Sequence, residues 1–226
     1  RATREGGAAS LVPGAVRDLV QRRVAALPEH ARNVLNAFAI LGDDHDPAIV
    51  ASILDTTAPE IAPAFDLLVA QDLLAADADD RLAFRHALTR DAVYEAISPL
   101  QRRELHARCV DALEAHEGAR AAAAMAAHLQ HVGDIESRHR AGTLLASAGE
   151  QSLDRLAYEQ AATQLRDAVA LLLECDVSAE VVRPTRLRLA EALRRTHADD
   201  TTLDAYSLVA DEAAAAGDPQ SEALAA

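Results

Sequence analysis

The sequence predicts a mainly α-helical protein that contains one small β-hairpin. Apolar residues recur at helical spacing along nearly the whole chain, and the spacing changes to the alternation of a strand only once, across residues 73–85. Half of the 226 residues are hydrophobic, yet aromatic residues make up only 3% and Trp is absent. A core of Ala, Leu and Val suits closely packed helices better than a β-sandwich or a β-barrel.

Four helices are predicted before the hairpin. They cover residues 13–27, 28–42, 47–54 and 59–74, and an acidic turn at 43–46 separates the second from the third. The residues expected to face inward are Val16, Leu19, Val20, Val24 and Leu27 in the first helix, Val34, Leu35, Phe38 and Leu41 in the second, and Ile61, Phe65, Leu68, Val69 and Leu73 in the fourth.

The hairpin is predicted from two short strands, residues 73–76 and 81–85, on either side of an acidic turn. The second strand alternates apolar and charged residues, which is typical of a half-buried strand. In a winged-helix domain, several helices are followed by one small hairpin, and the same order is predicted here. Residues 12–97 are therefore expected to form a winged-helix-like domain.

A fifth helix is expected to start at Ala87 and to stop at the Ser98-Pro99 pair. Ser98 can cap the following helix, and Pro99 can occupy its first position. The apolar stripe predicted for the fifth helix consists of Leu88, Ala92, Val93, Ala96 and Ile97. In the helix that follows, the predicted apolar face consists of Leu105, Cys109, Ala112 and Leu113.

The second half of the chain, residues 98–226, is expected to be a helical-repeat domain of the tetratricopeptide type. Predicted helices cover residues 99–116, 119–132, 136–152, 158–174, 180–197 and 202–216. The segment 142–174 fits the repeat pattern, with the packing positions Leu145, Ala148, Gly149, Ala161, Leu165 and Ala168. A repeat array without a capping end suggests a domain truncated at its C-terminus, and hence a fragment of a longer protein.

Charge and composition exclude several classes of function. The net charge is −14, and every basic side chain other than His is Arg. Residues 1–97 carry 9 Arg against 15 acidic residues, a net charge of −6, and the remainder carries 13 against 21, a net charge of −8. Neither half has the positive surface that nucleic-acid binding requires, so no direct nucleic-acid contact is predicted.

Localisation and redox state follow from similar observations. No apolar run approaches the roughly 20 residues of a membrane span, and the polar start of the chain does not look like a signal peptide. Cys109 and Cys175 lie far apart within helical patterns and are expected to be free thiols. The chain is therefore predicted to be cytoplasmic, with no membrane contact.

The run from Phe84 to Glu95, FRHALTRDAVYE, followed by RRELH at 102–106, resembles one family. It is similar to the junction between the winged helix and the repeats of STAND-type signal-transduction NTPases, in particular the large ATP-binding LuxR-type regulators. The resemblance extends to Val12–Pro28, Leu35–Gly42 and Ala126–Asp134. It implies that residues 1–11 are a remnant of the preceding NTPase lid and that the NTPase core itself is missing.

The same resemblance singles out His86 and Arg85. In related plant-resistance and apoptotic NTPases, a His at this place touches the β-phosphate of ADP and holds the closed state. There it is flanked by Met and Asp, whereas here the flanks are Arg85 and Ala87. An imidazole at a helix N-terminus beside an arginine forms a small anion site. The alternative is a histidine satisfied by the local backbone.

No catalytic or metal motif accompanies these residues. A phosphate loop needs a Lys, and the chain has none, so it is not expected to be an enzyme or to hold a cofactor of its own; ATP or ADP is expected in the parent protein. His128 and His131 have a spacing that can bind metal, with His139 beyond, but no acidic or thiol ligand completes the set. No metal site is predicted.

The function that follows is that of a non-catalytic segment of a bacterial multidomain transcriptional regulator. The winged-helix-like domain would couple the nucleotide state of the parent's own NTPase domain to a protein or small-molecule inducer on the repeats. Two alternatives remain open: a DNA-binding winged-helix protein, and the regulatory segment of a nucleotide cyclase on the same scaffold. An enzyme with its own active site lacks any supporting group of residues.

Overall fold

The computed structural model describes residues 14–43, 45–77, 81–196 and 200–217. Its elements in chain order are α1 (Gly14–Ala25), α2 (Glu29–Leu41), α3 (Pro47–Ile53), α4 (Ala58–Ala70), β1 (Leu74–Ala76), β2 (Leu82–Phe84), α5 (Ala87–Ala96), α6 (Pro99–Glu117), a 3-10 turn (Gly118–Ala121), α7 (Ala122–Val132), α8 (Ile135–Asp154), α9 (Tyr158–Glu174), α10 (Ala179–Thr196) and α11 (Asp200–Ala216). The predicted mainly α-helical class with one small β-hairpin is confirmed for this part of the chain.

Some predictions fall on residues that the structure does not describe. The expected lid remnant at residues 1–11 lies outside the described residues, as do the side chain of Val16 and most of the acidic hairpin turn. Within the described ranges, no helix has both the length and the apolar character needed to cross a membrane.

The chain divides into two compact units, Arg1–Ala112 and Leu113–Ala226, and the division falls inside α6. The boundary predicted from the sequence lies at the start of that helix, between residues 97 and 98. Much of α6 belongs with the N-terminal unit because Arg108 reaches back to α3, where its Nη1 donates to the carbonyl of Ile53 at 3.3 Å. Toward the other end of α6, Glu114 accepts from Arg140 Nη2 at 2.8 Å within the C-terminal unit.

Three phenylalanines form the centre of the N-terminal unit. Phe38 of α2 is 1% exposed, and its ring lies 6.0 Å from that of Phe65 on α4 and 5.5 Å from that of Phe84 on β2. These are all the phenylalanines in the chain. Because aromatic pairs bury large apolar areas, this cluster joins α2, α4 and the hairpin into one core.

The hairpin pairs β1 with β2 in antiparallel register, with Leu74 opposite Phe84 and Ala76 opposite Leu82. Leu74, Leu82 and Phe84 are buried, whereas Ala75 and Ala83 between them are only half-buried. The carboxylate of Asp43 accepts from the backbone N–H of Phe84 at 3.0 Å. The hairpin is therefore tied both to the core and to the turn that follows α2.

The predicted fourth helix ends early. Residues 71–74 were expected to be helical, but α4 stops at Ala70. Asp72 adopts a positive φ of 53°, which an α-helix cannot accommodate, and Leu74 then enters β1. The turn is stabilised by the backbone N–H of Leu73, which donates to the carbonyl of Leu68 at 3.0 Å.

Three side chains predicted to face the core do not. Leu19 is 55% exposed and Leu88 is 41% exposed, and Ala96 is also exposed. Val20 is buried, and a direct neighbour on a helix lies about 100° away around the axis, so Leu19 turns outward. In α5 the buried apolar residues are Ala92 and Val93, together with Ile97 at its end, whereas Leu88 in the first turn is exposed.

In the C-terminal unit, α7 to α11 pack mainly against the helices before and after them in the chain. One buried cluster joins α9 to α10 through Ala161, Ala162, Leu165 and Ala192. Contacts between sequence neighbours are typical of helical repeat arrays. The core here uses small residues, so the helices approach closely.

Candidate functional site

His86 lies at the corner where β2 turns into α5. It is the residue that precedes the first helical turn, with an extended backbone (φ −143°, ψ 131°), and its side chain makes no capping hydrogen bond. Its carbonyl accepts from the backbone N–H of Thr89 at 2.8 Å. The imidazole is exposed and makes no hydrogen bond with any residue in the described ranges. The local fold therefore uses the backbone of His86 and leaves its ring facing solvent.

Arg85 is exposed beside it. Its Nη1 lies 2.9 Å from Asp72 Oδ1, and both side chains are more than half exposed, at 52% and 66%. An ion pair of this kind contributes about 0–1 kcal/mol to stability because water screens it and the side chains lose entropy. The guanidinium is held weakly, so another anion can compete with Asp72 for it.

A cluster of side chains that was not predicted from the sequence joins α5 to α6. His106 is only 3% exposed, and its Nε2 lies 3.1 Å from the hydroxyl of Tyr94. The guanidinium of Arg102 lies 5.2 Å from the centre of the Tyr94 ring, a distance suited to a cation–π contact. Arg102 itself is half-buried.

These three residues belong to the stretch on which the family resemblance rests. Their contacts across the Ser98-Pro99 break fix how α6 leaves α5, which is a structural role within the N-terminal unit. The only sequence signal for the cluster was the presence of an aromatic and a histidine on adjoining helices. That signal does not specify a contact.

The six residues named as repeat packing positions all lie in α8 and α9, and all are buried: Leu145, Ala148, Gly149, Ala161, Leu165 and Ala168. A methyl group on Gly149 would lie 2.5 Å from Leu165 Cγ. The repeat pattern predicts that Gly149 and Ala161 face each other closely, but the three atoms nearest to such a methyl all belong to Leu165. Ala161 packs instead in a cluster that includes Leu153, one turn further along α8.

Neither the histidines nor the cysteines form a metal site in the described residues. His128 is buried, whereas His131 and His139 are exposed, and no group of three or more potential ligands converges. Cys109 and Cys175 are free thiols. Burial raises the pKa of the Cys109 thiol to about 12, which suppresses the thiolate needed for metal binding or nucleophilic attack.

The fold and these contacts define a helical protein of two units, with an exposed His–Arg corner on the first and closely packed helices in the second. Comparison with family models, with curated proteins and with solved structures finds no match to the chain.

Proposed function

We propose that this chain is a non-catalytic regulatory and interaction segment of a bacterial multidomain transcriptional regulator of the STAND type. Its winged-helix-like N-terminal unit reports the nucleotide state of an NTPase core, and its tetratricopeptide-like repeats bind an inducer or a partner protein. The observation that supports the proposal most directly is the exposed corner at Arg85 and His86, where the imidazole has no hydrogen-bond partner among the described residues.

The chemistry of this corner suits a phosphate group. The first backbone N–H groups of a helix lack partners within the helix, and the helix dipole adds partial positive charge at the same end. His86 immediately precedes α5, and Arg85 adds a guanidinium whose ion pair with Asp72 is exposed. A phosphate oxygen can therefore replace the Asp72 carboxylate at little cost in free energy.

The second part of the proposed function, binding of an inducer or a partner protein, is assigned to a surface of the C-terminal unit. A cavity of about 220 Å³ is lined by residues of α8, the following turn, α9 and α10, including Glu150 and Asp154. Leu156 at its edge is 70% exposed, and the guanidinium of Arg195 lies 5.8 Å from the Tyr158 ring. Aromatic residues and arginine are enriched at protein interfaces, so the Tyr158–Arg195 pair beside Leu156 supports a protein-interaction surface here.

The nucleotide-sensing role is tested with His86→Ala in the full-length parent protein that the proposal requires. Loss of one charge-assisted hydrogen bond costs about 1.5–3 kcal/mol, which corresponds to about a 10- to 150-fold weaker affinity for ADP. ADP release, followed with a fluorescent ADP analogue, is expected to accelerate by that factor, and basal transcriptional output is expected to rise.

The matched control is His139→Ala, which removes another exposed histidine, in the C-terminal unit. It should leave ADP release unchanged. Unchanged release in His86→Ala would contradict the proposed role, and so would the absence of any phosphate-loop domain in the parent protein.

A further inference from the structure

A second candidate site lies within the N-terminal unit, away from the His86 corner. A cavity of about 500 Å³ opens between α1, α2, α5 and the first turn of α6. Its apolar wall includes Val20 and Val24 of α1, and Val93 and Ile97 at α5, all of them buried. The volume falls within the range of about 300–1,000 Å³ that is typical of small-molecule sites.

Five polar side chains also line this cavity: Gln21, Arg32, Asn33, Asn36 and Gln101. None of them makes a side-chain hydrogen bond or an ion pair with another residue in the described ranges. Asn33 and Gln101 are exposed, and Gln21, Arg32 and Asn36 are half-buried. Their hydrogen-bonding groups are therefore available to a ligand that enters the cavity.

The charge of the site is unusual for this chain. Arg32 is the one charged residue among those lining the cavity, and no carboxylate joins it. The protein as a whole carries a net charge of −14. On α5, Glu95 is engaged by Arg17, whose Nη2 lies 2.8 Å from Glu95 Oε2. The cavity is thus a local positive site on an acidic protein.

We propose that this cavity binds a small organic monocarboxylate with an apolar body. The planar guanidinium of Arg32 matches a carboxylate and can donate two parallel hydrogen bonds to it. The apolar wall takes the body of the molecule, and the amides of Asn33 and Asn36 orient a hydroxyl or carbonyl group on it. One cation suits one negative charge, so polyphosphates are poor candidates. This site does not depend on the proposed nucleotide role.

The test uses the full chain and a defined set of probes. Octanoate, phenylacetate and indole-3-acetate are titrated by calorimetry, each beside its neutral amide. At least one acid is expected to bind with 1:1 stoichiometry and a Kd below about 1 mM, and to raise the thermal midpoint. Its amide should bind at least about tenfold more weakly, because it cannot form a charge-assisted pair with Arg32.

Two variants locate the site. Arg32→Gln removes the charge and keeps a polar side chain, and it is expected to weaken binding of the acid by at least about tenfold. Ala96→Leu fills part of the cavity from an exposed position on α5, and it should also reduce binding. Arg103→Gln, at an exposed arginine outside the cavity, is the control and should bind like the wild type.

Circular dichroism establishes that each variant is folded before binding is compared. Failure of all three acids to bind would overturn the proposal. Equal binding by Arg32→Gln and the wild type, or equal binding of acid and amide, would overturn it as well. None of these outcomes bears on ADP release in the parent protein, so this site and the proposed function are tested separately.

Discussion

At the contact between α8 and α9, the side chain of Leu165 fills the space that a side chain on Gly149 would need. A methyl group added to Gly149 would lie 2.5 Å from Leu165 Cγ, closer than side chains approach in folded proteins. Two turns away, a methyl on Gly142 would meet Leu172 Cγ at 2.9 Å. The Gly142–Leu172 contact therefore lies earlier in α8 but later in α9 than the Gly149–Leu165 contact. The two helices are therefore antiparallel, and each glycine admits a leucine.

Gly149→Ala is expected to destabilise the C-terminal unit. Overpacking costs about 1–3 kcal/mol, and Leu165 is fully buried, so its displacement must disturb the side chains around it. The better helix propensity of Ala offsets up to about 1 kcal/mol of that loss. The free energy of unfolding, measured by urea denaturation, should fall. The control is Gly14→Ala, where the new methyl meets nothing within 4 Å. Equal stability of the two variants would contradict the close contact.

Ala161→Leu should also destabilise the protein. Ala161 is 0% exposed and packs with Leu165 and Ala192, so a larger side chain must displace its neighbours. The expected cost is about 1–3 kcal/mol. Ala170→Leu on the same helix is the matched control because Ala170 is exposed. Melting temperatures of the two variants should differ, and a normal melting temperature for Ala161→Leu would argue against the packing position.

The two thiols should differ in reactivity. Burial raises the pKa of Cys109 to about 12, so almost none of it is thiolate near neutral pH, and the side chain is 0% exposed. Cys175 is half-buried at the end of α9. Ellman's reagent at pH 8 should therefore label Cys175 first, and Cys109 only on unfolding. The variant Cys175→Ser should show almost no labelling in the folded state. Rapid labelling of that variant would contradict the burial of Cys109.

Lowering the pH should remove the stabilisation that the Asp134 side chain gives to the N-terminus of α8. The backbone N–H and hydroxyl of Ser137 donate to this carboxylate at 2.7 Å and 3.0 Å, and these bonds lower its pKa below the ordinary value of 3.8. Because the pKa is lower in the folded state, the stabilisation is present above the unfolded-state pKa. It is lost as pH falls through the folded-state pKa.

The variant Asp134→Ala measures this effect. Its stability deficit against the wild type should be constant near neutral pH and should shrink below about pH 4. Chemical denaturation at a series of pH values provides the measurement. Asp154→Ala, at an exposed residue near the other end of α8, is the control. A deficit for Asp134→Ala that does not change down to pH 2 would show that the carboxylate charge is unimportant at this cap.

Most helix ends were predictable because they depend on chemistry within a few residues. Ser98 Oγ accepts from the backbone N–H of Gln101 at 3.3 Å, as expected for the residue that caps α6. Gly133 ends α7 with a left-handed φ of 89°, which glycine adopts without strain. The hairpin was likewise predicted from the local change in the spacing of apolar residues, from the helical repeat to the alternation of a strand. Such local signals do not depend on how the rest of the chain packs.

The candidate site was predictable only in part. The turn from strand to helix places His86 at the start of α5, and this follows from sequence alone. The exposure of its ring, and the ion pair between Arg85 and Asp72, depend on how the hairpin sits against α4. The outward direction of Leu19 could not be predicted either, because the width of a buried stripe is set by the neighbouring helices.

The helical class, the hairpin and the acidic character of this protein could all be predicted from the amino-acid sequence. Each of these depends on composition or on the spacing of residues along one element. The packing of the helices places Leu165 against Gly149 and Tyr94 against His106, and it brings Arg32 to a cavity whose lining residues include no acid. These contacts join residues on different helices. Their register follows from how helix surfaces interlock, and the periodicity of a single helix does not encode it.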